Sequence, residues 1–175
     1  FSDYDVSQPL RFQTTYGRGN GTNLSGNGLY YIDDIINAYS ATHCNAAISD
    51  NILAIDAHAA GTGAANTETF ALNNYVWGIF NQPVKANTTY TFSVDAMNWS
   101  SGTSPVWLLV GTGLPSATSA EDNFEVVVQQ NITGSCTWQT ITGTWNSGSN
   151  TSISILFAEV GRQNIGHEVA FDNIT

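Results

Sequence analysis

The chain has 175 residues, 42% of them hydrophobic and 10% charged, with four basic against fourteen acidic side chains and a formal net charge of −10. Arg11, Arg18, Lys85 and Arg162 are scattered, so no basic stripe exists to follow a phosphate backbone, and nucleic-acid binding is excluded as a function class. No run of about 18 apolar residues exists, so no membrane-inserted helix is expected, while 8 Phe, 7 Tyr and 5 Trp supply material for a core.

In chain order, Gly17-Arg18-Gly19-Asn20-Gly21 is glycine-rich but follows no hydrophobic strand, so it does not read as a phosphate loop. The best helical candidate is Asp33 to Ala41, whose Ile35, Ile36 and Tyr39 spacing is too short to weigh heavily. From there on, alternation of period two dominates. Leu53, Ile55 and Ala57 share one side of Ile52–Ala57, and Tyr75 and Trp77, two apart, are expected on one face of a strand. Tyr90, Phe92, Val94 and Ala96 alternate through Thr89–Met97. The same pattern groups Val106, Leu108 and Val110, then Phe124, Val126 and Val128, then Ile153, Ile155 and Phe157. Turn clusters separate these runs at Ala59–Asn66, Ser100–Ser104, Gly111–Asp122 and Asn146–Asn150. Short alternating strands between Gly, Ser and Asn turns predict an all-β chain. The expected fold is one antiparallel β-sandwich of about nine or ten strands over residues 1–175.

Chemistry-bearing patterns are sparse. No nucleophile elbow and no His-Glu-x-x-His occur, and His43, His58 and His167 stand apart in sequence. Asp33–Asp34 and Glu121–Asp122 fall in turn-like segments where solvated carboxylates are ordinary, so the chain is not expected to be an enzyme. The polar surface is built of Asn, Ser, Thr and Gly, which suits an extracellular protein facing neutral ligands or packed neighbours. The chain starts at Phe1 rather than Met, which reads as a processed or excised mature segment. Seven Asn-x-Ser/Thr sequons, at Asn20, Asn23, Asn87, Asn98, Asn131, Asn150 and Asn173, argue only weakly for glycosylation in so Asn- and Thr-rich a sequence. In a secreted chain, Cys44 and Cys136 are expected to close one disulfide, contributing about 2–4 kcal/mol; two buried thiols are the other reading.

Two features point toward ligands. Asp3-Tyr4-Asp5 and Phe171-Asp172-Asn173 lie at opposite ends of the chain and would meet if the first and last strands are neighbours, offering calcium the oxygen ligands it needs. The tryptophans are the other. Sugars present C–H faces that stack on indole and phenol rings while amides bond to their hydroxyls, so a partly exposed Trp beside amides is the simplest neutral-glycan site. Asn98-Trp99-Ser100 opens a Gly/Ser turn, Tyr75 and Trp77 form either a platform or a core plug, and Trp107 completes the candidate set.

The order of these motifs resembles the galactose-binding-like jelly rolls related to carbohydrate-binding modules of families four, nine and twenty-two, as found in bacterial surface and secreted proteins. The resemblance rests on Asp3-Tyr4-Asp5 and Ser49-Asp50-Asn51-Ile52-Leu53-Ala54-Ile55-Asp56. It continues through Val76-Trp77 to Val84, Asn87-Thr88-Thr89-Tyr90-Thr91-Phe92, Trp138 to Ser152, and Ala170-Phe171-Asp172-Asn173-Ile174. It implies a two-sheet jelly roll with a structural calcium ion held by Asp5, Asp50 and Asp172. Asp5 stands where the group has Glu, and Asn173 where it has a second Asp. The expected function is a non-catalytic, secreted or cell-surface module that binds a neutral polysaccharide or glycan. The alternative is a structural subunit of an extracellular filament, sheath or adhesin, whose copies associate through strand edges.

Overall fold

The computed structural model describes residues 17–18, 23–24, 29–33, 37–38, 52–57, 75–98, 103–113, 123–133, 136–159 and 167–175. These residues form twelve strands and no helix. They are β1 (Gly17–Arg18), β2 (Asn23–Leu24), β3 (Leu29–Asp33), β4 (Asn37–Ala38), β5 (Ile52–Ala57) and β6 (Tyr75–Pro83). The rest are β7 (Thr89–Asn98), β8 (Thr103–Gly111), β9 (Phe124–Thr133), β10 (Trp138–Asn146), β11 (Ser152–Glu159) and β12 (His167–Asp172). One sheet runs β1-β3-β5-β12-β7-β10, a second runs β6-β11-β8-β9, and β2 pairs with β4. Every pairing is antiparallel except the two-residue contacts β1–β3 and β2–β4. The short helical candidate from Asp33 is strand instead where it is described: Asp33 pairs with Ile52, and Asn37–Ala38 pair with Asn23–Leu24. Cross-strand partners outweigh a 3.6-residue period carried by only three side chains.

The two sheets close on one apolar core. Leu53, Phe92, Val94, Ile141, Val169 and Phe171 enter it from the six-stranded sheet, and Val106, Leu108, Val110, Ile132, Ile153 and Phe157 from the four-stranded one. Phe157 and Phe171 meet across the layers at 6.2 Å between ring centroids. The alternations of β7, β8 and β11 therefore point inward as their sequences require. The expected turn at 146–150 is also present: Asn150 N donates to Ser147 O and Gly148 sits at φ 51. Ser147, fully buried, ties this turn to the one after β6 by accepting from Thr88 N and donating to Lys85 O. The expected turn at Ser100–Ser104 is shorter than its composition implies, because Thr103 and Ser104 already pair with Thr133 and Ile132 in β9. Residues 59–66 and 114–122 of the other turn clusters lie outside the described residues.

Two expectations about facing fail, both at bulges. Between Phe157–Trp77 and Ala158–Tyr75 the β11–β6 register shifts by one residue. An extra residue on one strand reverses the side-chain alternation beyond it. Trp77 consequently packs on the central core, 5.5 Å from the Phe157 ring, whereas Tyr75 joins a second cluster with Leu109, Phe124 and Leu156. The β8–β9 ladder shifts likewise between Leu108 and Leu109. Phe124 thus belongs to the second cluster and Val128 packs against the central core, although the two are four residues apart on one strand.

Candidate functional site

The second cluster lies on the outer face of the four-stranded sheet. Directly opposed residues of an antiparallel ladder share a face, so the registers define rows across β6, β11, β8 and β9. One row runs Tyr75, Ala158, Trp107, Gln129; the next runs Gly78, Leu156, Leu109, Val126; a third ends Ser154, Gly111, Phe124. Strands spaced about 4.8 Å apart make the first row about 14 Å long, the scale of a short oligosaccharide rather than one ring. The middle is closed: Leu156 is fully buried and Leu109 nearly so. Gly78 permits this, since a Cβ there would lie 2.8 Å from Leu156 Cδ2 and 2.9 Å from Phe80 Cζ. Tyr75 packs edge-on against Phe80 at 5.7 Å, and burial pushes its phenol pKa up.

The β9 side of the face is open. Val126 is 46% exposed, and Gln129 and Asn131 are exposed on the edge strand. Trp107 is half-buried against the cluster and directly opposite Gln129. An indole with one apolar side seated on the protein and an amide beside it can stack on a sugar ring and bond to its hydroxyls at once. Of the candidate ligand residues, Tyr75 and Trp107 share this row, Trp77 lies in the interior, and Asn98 is buried at the end of β7, its carbonyl accepting from Cys136 N at 3.0 Å. Trp99 lies outside the described residues. Gln129, Asn131, Phe80 and Val126 were absent from the sequence-based set. The one signal for Gln129, Asn131 and Val126 is the alternation of β9, Phe80 on β6 carries none, and no local pattern places Gln129 opposite Trp107.

The metal candidates divide similarly. Asp5 and Asp50 lie outside the described residues. Asp172, on β12, is paired directly with Asp95 on β7 and accepts from Asn173 N at 2.8 Å. The Thr140 hydroxyl at 2.6 Å, and next the Asn173 amide at 2.8 Å, hold the Asp95 carboxyl below the usual carboxylate range against an opposing push from burial. The Asp95 and Asp172 carboxylates offer the oxygen ligands a hard cation takes, but calcium needs six to eight. Among the described residues no three metal-ligating side chains converge. A calcium site at Asp172 would need further ligands from outside the described residues, where Asp5 and Asp50 lie. Cys136 turns at φ 64 just before β10, and Cys44 lies outside the described residues.

No protein-family model and no curated protein matches the chain. Solved structures do. The chain is similar to the CBM22-2 xylan-binding domain of Paenibacillus barcinonensis Xyn10C, at TM-score 0.56 and 9% identity over 99% of this chain and 95% of that one. It is also similar to a CBM4 structure, at TM-score 0.50 and 18% identity over 73% and 71% of the two chains. A Clostridium thermocellum xylanase 10B structure with CBM22-1 and GH10 modules matches at TM-score 0.48 and 14% identity over 71% of this chain, which spans only 21% of that one. At such identities the likeness is one of architecture, and the chain has the two-sheet fold of the CBM22 and CBM4 carbohydrate-binding modules.

Proposed function

We propose that the chain is a non-catalytic, extracellular carbohydrate-binding module whose ligand is a neutral polysaccharide. The observation that carries this reading is the pairing of half-buried Trp107 with the exposed amide of Gln129 on an outer sheet face. Trp107 stacks on a sugar ring, Gln129 and Asn131 bond to its hydroxyls, and buried Tyr75 and Leu156 with half-buried Phe80 hold the face in shape. The fold shared with xylan-binding domains supports the reading and makes xylan the first probe. A surface poor in charge and rich in Asn, Ser and Thr supports an extracellular setting and an uncharged ligand.

The test is native affinity electrophoresis across soluble polysaccharides, xylan included, with pull-downs on insoluble ones. The chain should be retarded by one glycan class. Trp107→Ala should weaken that retardation about tenfold, the scale of one aromatic contact, while Gln129→Ala weakens it less. Free migration with every glycan, or equal retardation of wild type and Trp107→Ala, would refute the site.

Two stabilising elements belong to the same proposal. A structural calcium ion held by Asp5, Asp50 and Asp172 would stabilise the folded state by mass action, so a chelator should lower Tm; an unchanged melt removes the ion. A disulfide between Cys44 and Cys136 would leave no thiol to alkylate in the denatured, unreduced chain, which intact mass measures directly.

A further inference from the structure

Among the described residues three long strands end the two main sheets: β6 and β9 border the four-stranded sheet, and β10 borders the six-stranded one. An edge strand exposes a row of main-chain donors and acceptors, and proteins blunt such edges with charge, proline or bulges. β6 carries two register shifts, Asn81 at φ 53 and a terminal Pro83. β9 carries a register shift and Glu125. β10 has none of these devices. Its nine residues, Trp138–Asn146, pair with β7 without a shift and include no proline and no charge. They are rich in strand-favouring Thr, Trp and Ile. Thr140, Thr142 and Thr144 stand exposed on the outer face, and Trp138 is 37% exposed.

We propose that β10 is a self-association edge, pairing antiparallel with β10 of a second copy about a two-fold axis at Thr142. An unprotected antiparallel edge is complementary to itself, which is the isologous contact a two-fold dimer needs. Thr142 is the middle residue of the strand, so the axis sets it against its own copy and Thr140 opposite the partner subunit's Thr144. Outer hydroxyls then meet outer hydroxyls, inner positions keep their facing, and two six-stranded sheets become one continuous sheet. A strand of nine residues is about 30 Å long and one sheet layer about 10 Å deep, so the contact buries about 600 Å² in total. That is the size of a weak association, populated at high concentration. Each copy also carries a net charge of −10, none of it on β10, so long-range repulsion opposes pairing and added salt strengthens it.

The test is sedimentation equilibrium of the full chain from micromolar to about 1 mM, at low and at physiological salt. Wild type should shift toward twice the mass of one chain with rising concentration, more so at the higher salt. Thr142→Lys and Thr142→Glu put like charges face to face on the axis, so each alone should stay monomeric with an unchanged Tm. An equal mixture of the two should restore the dimer. A wild type monomeric throughout, a dimer persisting in both variants, or a mixture that stays monomeric would each overturn the proposal. Glycan retardation reads a different sheet and is unaffected by either variant.

Discussion

The two outer faces of this sandwich obey the same rule of alternation and come out differently. On the six-stranded sheet, β7 and β10 turn Thr89, Thr91, Ser93 and Asp95 outward against Asn146, Thr144, Thr142 and Thr140. These residues bond to one another and face solvent, as the Thr140–Asp95 and Asn146–Thr89 contacts show. On the four-stranded sheet the corresponding positions hold Leu156, Leu109, Phe124 and Tyr75, all buried. A sheet face meant only for water does not need a second apolar cluster, since ordinary antiparallel sheets put polar residues there. The apolar face is where this protein departs from a plain sandwich, and it is the face that bears Trp107.

The sharpest way to break that contrast is to truncate one residue on each side of β11. Phe157→Ala removes a fully buried ring from the central core and should cost about 3–5 kcal/mol. Leu156→Ala, its neighbour facing the other way, should cost about 2–5 kcal/mol if the outer cluster is packed as a core. Urea denaturation measures both. A loss under about 0.5 kcal/mol at Leu156 is the figure for an ordinary surface position, and it would reduce the outer face to a surface.

A smaller effect is expected where the two sheets close against each other. Gly143, on β10, faces inward over β9, and a Cβ there would overlap a methyl of Val128 and lie 2.8 Å from Cγ1 of Val127. Gly143→Ala therefore forces both valines to move and should destabilise by about 1–3 kcal/mol, the range for overpacking. Thr142→Ala, one residue away on the outer ladder, should stay within about 0.5 kcal/mol of wild type. Equal losses at the two positions would mean that inner and outer faces of β10 do not differ.

Much of the architecture was readable from the chain. The period-two runs at β7, β8 and β11 are long, carried by bulky apolar side chains, and uninterrupted, so their inward faces follow from sequence alone. What defeated the reading was the two bulges. A bulge is one residue counted against a partner strand, and nothing local in Tyr75-Val76-Trp77 or Val126-Val127-Val128 announces it. Placing Tyr75 beside Trp77 is the direct consequence. The candidate site suffers from the same non-locality: Trp107 was visible as an aromatic, but Gln129 becomes its neighbour only through the β8–β9 register. Trp138 shows the converse, since the segment from Trp138 to Ser152 carried the resemblance while no strand was read there, and nothing local marks β10 as ending its sheet among the described residues.

The smallest effect concerns the polar face and is read through pH. Asp95 is stabilised in its charged form, first by the Thr140 hydroxyl and then by the Asn173 amide. Its folded pKa therefore lies below its unfolded one, and the unfolded chain binds the proton more readily. The sign follows from linkage: this contribution is complete above the ordinary carboxylate pKa of about 4 and is lost as pH falls through the lowered folded value. Asp95 is half-buried on the outer face, where solvent still screens it in part, so the effect should be modest. Asp95→Asn lacks the titration, so its Tm deficit relative to wild type should be constant from neutral pH down to about 5 and should narrow below about 4. Added salt should change the neutral-pH deficit little, because both donors are neutral hydrogen-bonding groups rather than a charged partner. A deficit that widens in acid would place the folded pKa above the unfolded one. In that case repulsion from Asp172, directly across the ladder, would outweigh both hydrogen bonds.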